Sequence, residues 1–143
     1  MNVKKWLVAS IVAFVALVVM AWLVHGAILG DAYKAKPELW ASESTMKSNM
    51  WSLYLGYLVL AGMLALIYAK GCEGKPGLGE GFRYGLYIGF LTAVPRFFIG
   101  YAVFPYPANI AVTWLVAGIV ESVILGLIVG ALYKKPGMPA AAA

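Results

Sequence analysis

GFRYGLYIGFLTAVPRFFIGYAVFPYPANIAVTWLVAGIVESVILGLIVGALYK, residues Gly81 to Lys134, is two long apolar runs joined by the short turn PYPAN, residues Pro105 to Asn109. Each run reaches the roughly 20 residues that carry an α-helix across a hydrocarbon layer about 30 Å thick. Pro105 and Pro107 interrupt the helical pattern, and so short a connection leaves the two helices adjacent and antiparallel. Each run also carries one charge at depth, Arg96 beside Pro95 in the first and Glu121 in the second. A charge near the centre of a bilayer costs about 2.5–3.5 kcal/mol on insertion scales, so it turns to the bundle interior and seeks a partner. At about 1.5 Å of rise per residue, counting from the span ends places Arg96 and Glu121 within roughly 3–5 Å in height. The sequence therefore predicts an intramembrane ion pair, Arg96–Glu121, between the third and fourth helices. Pro95 adds a helix kink and frees the carbonyl of Leu91 for another hydrogen bond.

The rest of the chain has the same character. It has 143 residues, is 63% hydrophobic and 12% charged, and has a mean hydropathy of +0.85. A soluble domain is about half apolar and about a quarter charged, so the expected class is an all-α polytopic membrane protein. Four spans are expected, at residues 6–29, 50–69, 84–104 and 110–133, forming one transmembrane domain over residues 1–143, with residues 134–143 as a disordered C-terminal tail. Continuous apolar helices point to a bacterial inner membrane rather than an outer-membrane barrel. The first 27 residues begin like a signal peptide, but the apolar core is long and no A-x-A site follows it, so they read as the first crossing.

Orientation follows from the basic residues. One face collects Lys4, Lys5, Lys70, Lys75, Arg83, Lys134 and Lys135, and the other only Lys34, Lys36 and Lys47. This asymmetry predicts both termini in the cytoplasm. It also accounts for the +5 formal charge without a nucleic-acid partner. Trp6, Tyr68, Tyr84 and Tyr133 are expected as an inner aromatic belt, and Trp51, Tyr54, Phe104, Tyr106 and Trp114 as an outer one. The polar segment at residues 30–49 is expected along the outer interface, with Ser42 or Ser44 capping the second span. The glycine-rich stretch at residues 70–81 lacks the spacing of a phosphate loop and reads as a connector.

Chemistry-bearing residues are sparse. Cys72 is the only cysteine, which excludes an internal disulfide and a CxxC metal or redox site. His25 is the only histidine, so bis-histidine haem ligation within one chain is excluded, and no cofactor or metal is expected. His25 lies close before Asp31, and the two form a candidate polar or pH-sensitive site. No Ser-His-Asp set or paired carboxylates share a span, so no enzyme is expected. Small residues recur four apart: Ala61, Ala65 and Ala69 in the second span, Gly81, Gly85 and Gly89 in the third, and Gly118, Ser122, Gly126 and Gly130 in the fourth. Such stripes let helix backbones approach closely, and they are expected to work within one chain rather than between two.

The stretch GFRYGLYIGFL, the proline-containing turn and the closing GIVESVILGLIVGALYK resemble a family of small four-helix bacterial integral membrane proteins catalogued only as a domain of unknown function. The resemblance implies the four-helix topology and carries no activity, ligand or catalytic residue. The first functional expectation is a non-enzymatic accessory, assembly or scaffolding module acting through helix packing, in the bilayer, as a homodimer or with a membrane-protein partner. In that case the Arg96–Glu121 pair is a lock on helix register, because a salt-bridged glutamate is poorly suited to cycling protons. The alternative is a small dimeric transporter or channel using the same two residues. A third is a lipid- or quinone-binding subunit of a membrane complex, with Tyr87, Phe97 and Phe98 lining a groove.

Overall fold

A computed structural model describes residues 1–74 and 77–133. Lys75, Lys134, Lys135 and the expected tail at residues 134–143 lie outside the described residues. The elements in order are α1 (Val3–Trp22), a π-helical turn (Leu23–Ile28), α2 (Gly30–Lys34), a 3-10 turn (Pro37–Leu39), α3 (Glu43–Ser48), α4 (Met50–Gly71), α5 (Gly77–Val103) and α6 (Ala108–Leu132). No strand occurs among the described residues. Four segments are long and apolar enough to cross a membrane: Val3–Ile28, Met50–Gly71, Gly77–Val103 and Ala108–Leu132. They match the four expected spans. The first and third start earlier than expected, because Lys4, Lys5, Glu80 and Arg83 are taken into the terminal helical turns. The end carrying residues 30–49 is called the upper end below.

Small side chains decide the packing. Ala9 and Ala13 of α1 and Ala61, Ala65 and Ala69 of α4 are buried in one core with Leu17, Leu64, Leu125 and Val129. Trp6 closes the lower part of that contact, its Nε1 donating to the Gly62 carbonyl at 3.0 Å. The α5–α6 contact is tighter. A Cβ at Gly77, Gly81, Gly85, Gly126 or Gly130 would fall on a backbone carbonyl of the opposite helix. The two glycine stripes thus face each other within one chain, as expected. α6 touches α1, α4 and α5 and forms the middle of the bundle.

The inner aromatic belt is corrected by the structure. Tyr68 and Tyr133 are buried, and Trp6 and Tyr84 half-buried, because the polar tips of Trp6, Tyr84 and Tyr133 bind backbone inside the protein and that of Tyr68 faces Glu80. The Tyr84 hydroxyl donates to the Leu64 carbonyl at 2.6 Å, and the Asn2 backbone N–H donates to the Tyr133 hydroxyl at 3.0 Å. Ser42 caps a helix, but it is the short α3: its Oγ accepts from the Thr45 N–H at 3.2 Å. α4 starts after Asn49 without a side-chain cap.

A cleft among the long helices as the candidate functional site

The seam between α5 and α6 fixes where the two buried charges lie. Gly118 faces Ala93, and Gly89 faces Ile119 and Ser122. Arg96 is three residues above the Ala93 level, and Glu121 is three residues below the Gly118 level. At about 1.5 Å per residue, the two positions differ in height by about 9 Å. The expected Arg96–Glu121 ion pair is therefore not formed. Ion pairs do form at Lys34–Asp31, Lys36–Glu38 and Lys47–Glu43, in the exposed upper segment. The height expected from span ends fails because α5 begins at Gly77, well before the apolar run, and glycine contacts set its register.

Instead of meeting, Arg96 and Glu121 line one cleft of about 290 Å³ among α1, α4, α5 and α6. His25, Thr92, Tyr106 and Ser122 add polar atoms, and Leu64, Ile88, Phe97 and Leu125 supply apolar wall. Arg96 is exposed towards the cleft and Glu121 is half-buried. α5 runs through Pro95 as continuous helix.

Near the upper end the α1 helix widens. Leu29 N–H bonds the carbonyl of Val24, five residues back, at 2.9 Å. Such a π-turn re-aims the side chains within it and is common at functional sites. It carries His25, whose Nδ1 is 2.6 Å from the Tyr33 hydroxyl. The same hydroxyl accepts from Trp114 Nε1 at 2.8 Å, and Trp40 Nε1 donates to the Tyr33 carbonyl at 3.2 Å. Trp114 also meets Tyr106 edge-on, with ring centroids 5.1 Å apart. These rings form a cap over the cleft, so Tyr106 and Trp114 are not the outward-facing belt residues expected of them. Trp51, Tyr54 and Phe104 do face outward. Burial pushes the Tyr33 hydroxyl above the usual tyrosine pKa, which outweighs the hydrogen bond from Trp114.

At the lower end the cleft is closed. The Tyr84 bond to Leu64 links α5 to α4, and the Tyr84 and Tyr68 rings pack edge to face at 5.2 Å. The Tyr68 hydroxyl faces the Glu80 carboxylate. Glu80 is buried and accepts from the Glu73 backbone N–H.

The His25–Asp31 site is not assembled. Asp31 pairs with Lys34 at 3.3 Å on the surface, and the true partner of His25 is Tyr33, two residues further along. The quinone groove is not assembled either: Phe97 lines the cleft, while Tyr87 and Phe98 point outward. Sequence reading missed Tyr33, Tyr106 and Glu80 as site residues. Only the π-turn and the folding back of residues 30–49 bring Tyr33 to His25. No cluster of metal-ligating side chains occurs among the described residues. No family model, curated protein or solved structure matches the chain.

Proposed function

We propose that this chain is a multi-pass protein of a bacterial inner membrane, with both termini in the cytoplasm, that passes a small polar or charged species through its cleft. It is a small transporter or channel without covalent chemistry of its own. The observation that carries this reading is the placement of Arg96 and Glu121 on one open volume rather than in contact. A register lock needs the two charges joined. Here glycines already lock α5 to α6, and the charges are left over. Ionisable side chains in a membrane span are costly, and those facing a cavity mark the route of a solute or ion.

Thiol accessibility tests the proposal. In a Cys72→Ala background, Thr92→Cys and Leu115→Cys place thiols in the cleft, while Phe90→Cys and Val120→Cys place them on the lipid-facing surface. In whole cells a membrane-impermeant methanethiosulfonate reagent is expected to label the first two and spare the others. Equal labelling of both pairs, or labelling of neither, overturns the proposal.

A further inference from the structure

We propose that the species entering the cleft is the proton, with Glu121 as its binding site and an entry relay through Tyr33 and His25. This inference rests on the cleft being a solute route and names what travels in it.

The upper relay follows from hydrogen-bond roles. An indole N–H only donates, so the Tyr33 oxygen is the acceptor from Trp114 and its own hydrogen is free to point at His25 Nδ1. In that arrangement His25 is the Nε2–H tautomer, and its Nε2 has no hydrogen-bond partner among the described residues. A proton enters when Tyr33 passes its hydroxyl hydrogen to Nδ1 and takes another from the bathing water. The imidazolium releases the Nε2 proton into the cleft, where the Glu121 carboxylate receives it. One proton is gained at Nδ1 and one lost from Nε2, with no change of electrons, and the ring, left as the Nδ1–H tautomer, returns to the Nε2–H form before the next transfer. The Tyr33 oxygen can donate to a bare Nδ1 or accept from a protonated one, so it holds the ring through both states.

Glu121 suits the receiving role because it faces charge without being neutralised by contact. Arg96 of α5 and Tyr57 of α4 are its electrostatic neighbours, and His25 of α1 shares its cleft. No lysine among the described residues lines the cleft. Below the cleft, the Tyr84 hydroxyl donates to the Leu64 carbonyl, and the Tyr68 hydroxyl faces the buried carboxyl of Glu80.

The test uses the full chain in phosphatidylcholine–phosphatidylglycerol vesicles with a trapped pH dye. Valinomycin and a potassium gradient set the potential. Proton entry is expected well above that of protein-free vesicles. It is expected to fall to their level in Glu121→Gln, to be reduced in His25→Phe, and to persist in part in Glu121→Asp. Because Glu121→Gln risks misfolding, the unmodified protein is also treated with dicyclohexylcarbodiimide, which adds to a protonated membrane carboxyl. Mass analysis is expected to find the adduct on the peptide containing Glu121, with flux lost in step. Wild-type flux equal to that of protein-free vesicles, or undiminished flux in Glu121→Gln, overturns the inference. If either occurs while Thr92→Cys is still labelled, the cleft remains a solute route and only the proton is excluded. If labelling also fails, both readings fall.

Discussion

At Arg96 and Glu121, the cost of a substitution depends on whether the charges touch. Breaking a buried, contacting ion pair costs about 3–5 kcal/mol, because the orphaned charge has no solvent. Here each residue already faces the cleft, so Arg96→Leu and Glu121→Leu are expected each to cost less than that. Their combination is expected to show only weak coupling, within about 0.5 kcal/mol of additivity. Unfolding titrations of the two single variants and the double variant in detergent check this, and full recovery in the double variant would restore the direct pair. Tyr33 gives a second residue-scale prediction. Its pKa is raised by burial from 10.0, so the folded state favours the neutral phenol. Its stabilisation is complete below pH 10 and is lost as pH rises through the elevated folded value. The aromatic cap is expected to loosen in that window, seen as a change in Trp40 and Trp114 fluorescence. Tyr33→Phe, which cannot ionise, is expected to abolish that pH step while losing the bonds to His25 and Trp114, each worth about 0.5–1.5 kcal/mol.

Among the elements, the α5–α6 seam is the most demanding. A Cβ at Gly126 meets the Gly81 carbonyl and the Gly85 backbone, neither of which can move aside as a side chain does. Gly126→Val is expected to destabilise by about 1–3 kcal/mol or more through overpacking, and to shift the level of Arg96 against Glu121. Gly56→Ala, with open space around it, is expected to be neutral. Thermal unfolding of the two variants in detergent compares them, and similar melting temperatures would refute the seam as the source of register. The stripes themselves were legible in the sequence, since fourfold spacing of small residues has one structural use in a span. Their consequence for the charges was not. Register depends on which glycine faces which carbonyl, and span ends locate that only to a few residues.

For the whole molecule, the distribution of basic residues sets the expected orientation. In a Cys72→Ala background, Ser44→Cys is expected to react with an impermeant maleimide in intact cells, and Lys4→Cys only after permeabilisation; the reverse pattern would invert the topology and turn the cleft to the cytoplasm. By itself the sequence determined four helices long and apolar enough to cross a membrane, the adjacency of the last two and the small-residue faces. These follow from local quantities: run length against bilayer thickness, loop length and side-chain size. Only the tertiary structure decided what the polar residues do. Arg96 and Glu121 share a cleft instead of a bond because backbone contact along the glycine seam is stiffer than any attraction between two flexible side chains. His25 finds Tyr33 rather than Asp31 because a π-turn rotates it and residues 30–49 fold back over it, and neither event is written in the spacing of the residues.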